Sequence, residues 1–370
     1  MRIHIEPKNP IVMKKVALAL CALLASSVIY YGCTPSGQEP AIESFRLVAW
    51  DNANDGQIDQ ESGIVHVRHI SSGEQVMNVD YTLSDGSEIT PDPQTLIRNW
   101  PEKINFTVKN GNKSKEYTVI LSDYVKPEDE QQGPEWKIAW NDEFNINSID
   151  TVVWSKTPRG PKGMCTQHMT DAEDLYEFKD GKIFLYGKEN DHPEDTVTHL
   201  TGGIWSKDKK CFSLGRMDIR AKVTSGKGYW PAIWLLPQGN SKPYSEGGEL
   251  DIVEHLNFDD FVYQTMHTRY TNLVNRSNPM NYTKVKVDMD EYNTYSVIVS
   301  NDKVEYMVNN EVTHVYPKLV PEQEYQFPFS THAYYVLFTS QLGGDWVGDI
   351  DLKGETVYLS IDWIRVYTKK

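Results

Sequence analysis

An all-β fold is predicted for this chain, in which a large domain of two packed antiparallel sheets follows a smaller β-sandwich. Short runs that alternate apolar and polar residues recur along the sequence, for example at residues 64–67 and 117–121. Turn-forming Asn, Asp and Gly residues separate such runs, as at residues 84–86 and 110–112. No long run has helical periodicity, and 370 residues suffice for one large core and one small core.

The first 33 residues have the pattern of an export signal. Lys14 and Lys15 precede an apolar run at residues 16–29, which is short for a membrane span. The Gly32-Cys33 pair that follows resembles the cleavage site of a bacterial lipoprotein. We therefore expect residues 1–33 to be a signal peptide and Cys33 to carry a lipid, with a buried or cleaved cysteine as the alternative. The mature protein would belong to the cell envelope, at the outer membrane or cell surface, or in the periplasm.

The remaining chain divides into four predicted segments. Residues 34–40 are a polar tether, and residues 41–124 have the strand spacing of a small, Ig-like β-sandwich. Residues 125–134 are charged and bounded by proline and glycine, as expected of a linker. Residues 135–370 form the large domain. The sandwich has no catalytic constellation, so we expect a spacer in preference to a glycan-binding module.

The charge of the chain limits its partners. The formal net charge is −15, and no basic cluster occurs. We therefore expect no nucleic-acid partner and no membrane contact except through the lipid, and we expect a monomer. Net acidity also favours a neutral glycan over a heavily sulfated one.

Two cysteines remain once the signal peptide is removed. Cys165 and Cys211 could form a disulfide after export, because the envelope is oxidising. Two free, buried cysteines are the equally supported alternative. No His/Cys cluster indicates zinc, and no glycine-rich phosphate loop is present.

Three carboxylates stand among strand-forming residues at residues 249–254. Side chains alternate along a strand, so Glu249 and Asp251 share a face, whereas Glu254 should point to the opposite face. One extra residue, a β-bulge at residues 252–253, would return Glu254 to the carboxylate face.

This predicted arrangement suits the cleavage of a glycosidic bond. Two carboxyl groups about 5 Å apart are the catalytic pair of a retaining glycoside hydrolase. Three like charges on one face repel, so one group should keep its proton near neutral pH, as a general acid must. The alternative interpretation is an exposed acidic strand face.

Several motifs resemble glycoside hydrolase family 16, in family order over residues 135–368. The E-L-D-I-V-E run at residues 249–254 is similar to the family signature. Other resembling stretches lie at residues 140–144, 215–222, 228–237 (GYWPAIWLLP), 342–348 and 361–367. The resemblance implies a β-jelly roll whose concave face carries the cleft.

The resemblance also implies roles for individual residues. Glu249 would be the nucleophile, Glu254 the acid/base, and Asp251 the residue that orients and tunes the pair. Catalysis would need no cofactor. Some family members hold a structural calcium ion on the convex side, and here Glu143 and Asp362 occupy the resembling stretches, with further oxygen ligands required.

Aromatic and polar residues are candidates for sugar binding, because sugar rings have apolar C–H faces. Core packing is the alternative for each aromatic residue, a structural histidine for His267, and an ion pair for the arginine. The candidates are Trp230, Trp234, Trp205, Trp346, Tyr335, His267 and Arg220.

The residues after the signature bear on the substrate. Residues 255–265 look more like lipoprotein enzymes of gut Bacteroidetes that attack poly-N-acetyllactosamine in mucin O-glycans than like laminarinases. We therefore expect a retaining, endo-acting hydrolase of internal β-1,4-galactosidic bonds. The alternatives are an endo-β-1,3-glucanase or other galactan hydrolase, a transglycosylase, and a carbohydrate-binding protein without turnover.

Overall fold

The computed structural model describes residues 38–49, 53–68, 76–97, 100–122, 125, 133, 135–239 and 246–370. The predicted signal peptide with Cys33 lies outside these residues, as do the first part of the tether and most of the linker. The described residues belong to one compact unit that begins at Gln38. No helix among them is long and apolar enough to cross a membrane.

The described residues of the N-terminal region contain eight short strands and one 3-10 helix, Pro93–Leu96. The strands are β1 Ile42–Val48, β2 Ala53–Asp55, β3 Gln57–Asp59, β4 Ile64–Arg68, β5 Asn78–Leu83, β6 Glu88–Thr90, β7 Lys103–Asn110 and β8 Lys113–Ser122.

These strands form two sheets around a small core. One sheet has the order β2-β1-β5 and the other the order β3-β4-β8-β7-β6, in which only the β4–β8 pair is parallel. Alternate residues of both sheets point inward and bury Phe45, Phe106 and Tyr117 with smaller aliphatic residues. The predicted β domain at the N-terminus is confirmed.

Within residues 135–239 and 246–370 lie sixteen strands, a 3-10 helix at Glu173–Leu175 and the short helix α1, Arg269–Leu273. The strands are β9 Trp136–Asp142, β10 Ser155–Lys156, β11 Tyr176–Lys179, β12 Lys182–Glu189, β13 His199–Thr201, β14 Gly203–Trp205, β15 Gly215–Val223, β16 Tyr229–Pro237, β17 Glu249–Glu254, β18 Phe261–His267, β19 Tyr282–Lys286, β20 Asn293–Val299, β21 Lys303–Val308, β22 Glu311–Pro317, β23 Tyr334–Leu342 and β24 Val357–Lys369.

These strands pair into two antiparallel sheets, as the sequence predicts. The seven-stranded sheet has the order β10-β14-β23-β16-β17-β18-β19. The nine-stranded sheet has the order β11-β12-β24-β15-β20-β21-β22, with β13 beside β12 and β9 beside β24. One core, which includes Trp154, Tyr306 and Phe338, fills the space between the sheets. The fold is a jelly roll, and strand β17 lies near the middle of the seven-stranded sheet.

An arginine joins the N-terminal region to the jelly roll. Arg68, at the end of β4, places Nε 3.0 Å from Asp150 Oδ2 and donates from Nη1 to the Asn141 carbonyl at 2.6 Å. The Arg68 and Asp150 side chains are largely buried, so solvent screens their attraction less than it would at an open surface.

Candidate active site

Strand β17 carries the bulge that the sequence predicts. On its β18 side, Glu249 pairs with His267 and Asp251 with Thr265, but the next pair is Glu254 with Tyr263. Three steps along β17 therefore match two steps along β18, and the pairing with β16 shifts at the same place. Leu250, Ile252 and Val253 enter the core, while all three carboxylates line one cleft of about 780 Å³.

Burial controls protonation in this cleft. Asp251 and Glu254 are only 2% and 7% exposed. Burial raises the pKa of Asp251 to about 7, opposed by a hydrogen bond with Glu249. Burial and then the charge of Asp251 raise the pKa of Glu254 well above its usual value. This rise favours the protonated form of Glu254, the state in which it can donate a proton to a leaving oxygen.

Aromatic rings form a wall beside Glu254. The Trp230 indole Nε1 donates a hydrogen bond to Glu254 Oε1 at 3.1 Å. The rings of Trp230 and Trp346 meet edge to face with centroids 5.3 Å apart, and Tyr263 lies 4.9 Å from Trp346. Trp346 is 46% exposed, so part of its ring is open to a ligand. Such rings suit the apolar C–H faces of a sugar.

The residues that follow β17 hold this wall in place. Asn257 donates from Nδ2 to the Val347 carbonyl at 3.1 Å and accepts at Oδ1 from the Gly228 N–H at 2.7 Å. The turn at Asn257, with φ of 55°, thereby connects the loops that carry Trp230 and Trp346. His255 is fully buried and its Nε2 lies 2.8 Å from the Asp259 carbonyl oxygen. The stretch downstream of the signature therefore shapes the cleft.

Two further predicted residues line the cleft. His267 places Nε2 3.2 Å from Asp251 Oδ2, a contact that lacks the alignment of a hydrogen bond. When His267 is protonated, its positive charge lowers the pKa of Glu254 and partly offsets the rise that burial causes. Trp234 donates from Nε1 to Thr339 Oγ1 at 3.0 Å. Trp234 follows Ala232 by two residues on β16, and both residues line the cleft.

The predicted disulfide is absent. Cys165 and Cys211 are both free thiols, as in the alternative that the sequence left open, but both are partly exposed and not fully buried. Cys165 lines the cleft, and burial, with a smaller contribution from the charge of Glu249, raises its pKa to about 11. At Cys211 the carbonyl accepts a hydrogen bond from Trp140 Nε1, so this residue stabilises the start of the jelly roll.

Three of the predicted sugar-binding residues do not line this cleft. Trp205 and Tyr335 pack edge to face, 5.9 Å apart, at the β14 side of the seven-stranded sheet. Arg220 belongs to β15 of the other sheet, where it forms an ion pair with Asp362 and lies over the Tyr292 ring. The prediction of a cleft arginine is wrong at this position, because the outward face of the nine-stranded sheet points away from the carboxylates.

The two predicted calcium ligands both have arginine partners. Glu143 accepts hydrogen bonds from Arg365 at 2.8 and 2.9 Å. Asp362 pairs with Arg220, and Lys182 Nζ lies 3.7 Å from its other oxygen. Among the described residues, neither belongs to a group of three or more metal-type ligands. A calcium ion at Glu143 and Asp362 stays a prediction.

Other cleft residues gave little signal in the sequence. Met164 and Cys165 come from a loop before β11, and Arg276, Asn281 and Lys284 come from the chain around β19. Neither loop contains a motif. Tyr263 could have been found, because the bulge that turns Glu254 inward also places Tyr263 directly opposite it.

A jelly roll with buried, bulged carboxylates beside an aromatic wall defines a glycoside hydrolase. The family model of glycosyl hydrolases family 16 matches residues 168–365, and a domain of unknown function (DUF4971) matches residues 47–130. The chain belongs to glycoside hydrolase family 16, whose members are retaining enzymes.

Curated relatives include enzymes for two kinds of polymer. A keratan-sulfate endo-1,4-beta-galactosidase of Sphingobacterium multivorum is 29% identical over 238 residues, which are 63% of this chain and 55% of that protein. The chain thus spans about half the length of that relative. A beta-glucanase of Rhodothermus marinus is 25% identical over 249 residues, 64% of this chain and 86% of that protein.

Solved structures share the fold of the jelly roll. The laminarinase from Rhodothermus marinus has a TM-score of 0.57 at 22% identity and covers 64% of this chain and 99% of its own. A chain described with the endo-acting O-glycanases that human gut microbiota express to initiate mucin breakdown has a TM-score of 0.55 at 25% identity. It covers 64% of this chain and 92% of its own. Residues 168–365, which the family model matches, therefore lie within a jelly roll of the family 16 fold.

Proposed function

We propose that the protein hydrolyses internal β-1,4-galactosidic bonds of poly-N-acetyllactosamine in mucin-type O-glycans. The observation that carries this proposal is the stretch after β17. It departs from laminarinase patterns in sequence, and it holds the loops of Trp230 and Trp346 through Asn257. The similarity to the keratan-sulfate endo-galactosidase and to the O-glycanase chain supports the same substrate class.

The proposed chemistry is a double displacement. Glu249 attacks the anomeric carbon while the C–O bond breaks, and Glu254 gives its proton to the leaving oxygen. Glu254, now a carboxylate, takes a proton from water, whose oxygen attacks the same carbon and releases Glu249. Asp251 holds the nucleophile through its hydrogen bond with Glu249.

An endo-β-1,3-glucanase is the second candidate. The beta-glucanase relative is matched over 86% of its length, a larger share than that of the keratan-sulfate relative. The seven-stranded sheet and the aromatic wall suit a glucan equally well. The two candidates differ in the sugar that each leaves at the new reducing end.

Product analysis tests this proposal. The protein is incubated separately with mucin O-glycans and with laminarin, and the products are sized and their reducing ends identified. We expect oligosaccharides that end in galactose from the mucin glycans. Matched incubations with Glu249→Gln protein control for contaminating enzymes. Glucose-ended oligosaccharides from laminarin, with intact mucin glycans, would replace the proposal with the glucanase.

We also propose that the mature protein is an envelope lipoprotein anchored through Cys33. The signal pattern at residues 1–33 supports this, and the N-terminal β domain would hold the jelly roll away from the membrane. Metabolic labelling with a radioactive fatty acid tests the anchor, with Cys33→Ser as the matched control that should lose the label.

A further inference from the structure

Three buried oxygens in the cleft have no hydrogen-bond partner within the described protein. They are Asp251 Oδ2, Asn281 Oδ1 and Gln341 Oε1, and each belongs to a residue that lines the cleft. Asp251 belongs to the catalytic group described above. Gln341 and Asn281 are 2% and 4% exposed, and neither has a part in that chemistry. A buried acceptor without a partner is unfavourable, so a donor from a bound ligand would be strongly preferred there.

The orientation of the Gln341 amide follows from its neighbours. Its Nε2 donates to Thr339 Oγ1 at 2.7 Å, and the same oxygen accepts from Trp234 Nε1 at 3.0 Å. The Thr339 hydroxyl has the Ala232 carbonyl as its own acceptor at 3.4 Å. Thr339 therefore receives two donors, and Gln341 keeps Oε1 available as an acceptor.

Asn281 has the same arrangement on the other side of the cleft. Its Nδ2 donates to the Met266 carbonyl at 3.0 Å, and its backbone N–H donates to the Arg276 carbonyl at 3.0 Å. The side chain is thus fixed through its nitrogen, and Oδ1 is the atom without a partner.

The two acceptors flank the catalytic strand. Gln341 lies on β23 and Asn281 directly before β19, and each strand is the second neighbour of β17 on its own side. Each acceptor is therefore about 10 Å from β17 along the sheet, at the usual spacing of strands. A glycan that crosses the strands meets one acceptor on each side of the bond that is cut.

We infer that Gln341 and Asn281 determine specificity by accepting hydrogen bonds from acetamido N–H groups of the substrate. This inference rests on the proposed function. In poly-N-acetyllactosamine, galactose and N-acetylglucosamine alternate, so an N-acetylglucosamine lies on both sides of a cleaved galactose. An acetamido N–H is a donor that glucans and plain galactans lack.

A paired change in enzyme and substrate tests this inference. The values of kcat/KM are measured on an N-acetyllactosamine oligosaccharide and on an analogue in which acetoxy groups replace the acetamido groups, which removes only the N–H. For the wild-type protein we expect about tenfold preference for the acetamido substrate. Gln341→Met should lower kcat/KM on the acetamido substrate by a larger factor than on the acetoxy analogue, so that most of this preference is lost, and Gln341→Glu, which keeps an acceptor, should recover part of it.

Gln264→Met is the matched control. Gln264 is also a fully buried glutamine with one unpartnered atom, but it faces Thr313 between the sheets and does not line the cleft. This variant should lower Tm without changing the preference. Equal kcat/KM of wild-type protein on the two substrates, or an equal loss on both in Gln341→Met, would overturn the inference.

Binding separates this inference from the proposed function. Inactive Glu249→Gln protein is titrated with the same two oligosaccharides by calorimetry, alone and combined with Gln341→Met. A preference of about tenfold that disappears in the double variant supports the acceptor role even if turnover is found only on laminarin. Equal affinity for both oligosaccharides overturns the role, whatever polymer the enzyme cuts.

Discussion

The two sheets of the jelly roll bury acidic side chains in different ways. On the nine-stranded sheet, Glu143 pairs with Arg365 at 2.8 Å and Asp218 with Arg216 at 2.8 Å. On the seven-stranded sheet, Asp251 and Glu254 are equally buried but have no arginine or lysine partner among the described residues.

This difference separates acids that stabilise the fold from acids that can move protons. Burial also raises the pKa of Asp218, but the charge and hydrogen bonds of Arg216 oppose the rise. A guanidinium also satisfies the carboxylate oxygens, so the pair is a fixed part of the structure. Without one, desolvation favours the protonated form and leaves a proton available near neutral pH. The predictions below test this contrast, beginning with the largest expected effect.

Loss of a cleft carboxylate should abolish turnover and leave the fold intact. We expect Glu249→Ala to reduce kcat by about 10⁴-fold or more, because the covalent step is lost. Added azide should restore cleavage and give a product of inverted configuration. With Glu254→Ala, azide should instead give the retained configuration, because Glu249 still forms the intermediate. The configuration is read by proton NMR, and the opposite pattern would exchange the two roles.

Loss of an arginine on the nine-stranded sheet should lower stability and leave turnover intact. Arg365→Ala leaves Glu143 buried without its guanidinium, which should lower the free energy of unfolding by about 3 kcal/mol. Denaturant unfolding measures this change, and kcat per folded molecule should stay near the wild-type value. Lys303→Ala, which breaks a partly exposed pair with Glu305 on the same sheet, is the control and should change stability less. Equal stabilities of the two variants would refute the contrast.

The pH dependence of stability tests the same contrast at Asp251. The pKa of Asp251 rises from 3.8 in the unfolded chain to about 7 in the folded protein, so the folded state binds this proton more tightly. Its contribution to stability is present below about pH 4 and is lost as pH rises toward about 7. Asp251→Asn should therefore flatten the fall in unfolding free energy over this range by a few kcal/mol. An unchanged slope between wild type and variant would contradict the assignment.

Local rules predicted much of the cleft. Period-two alternation placed Glu249 and Asp251 together, and a single bulge was the simplest way to add Glu254. Trp230 and Trp346 were found because their motifs are distinctive. The sequence analysis did not place Cys165, Asn281 and Gln341 in the cleft. The sequence of a loop or of an apolar strand does not show which distant strand that segment will approach.

The sequence by itself therefore determined which side chains share a face of a strand. Alternation distinguishes one face of a strand from the other, and it does not say which face will border a cleft, a core or the outer surface. Trp234 and Arg220 both lie in strands that alternate buried and partly exposed residues. Trp234 nevertheless lines the cleft, whereas Arg220 lies on the nine-stranded sheet away from it. Only the packing of the two sheets decided this, because burial depends on contacts between residues far apart in the chain.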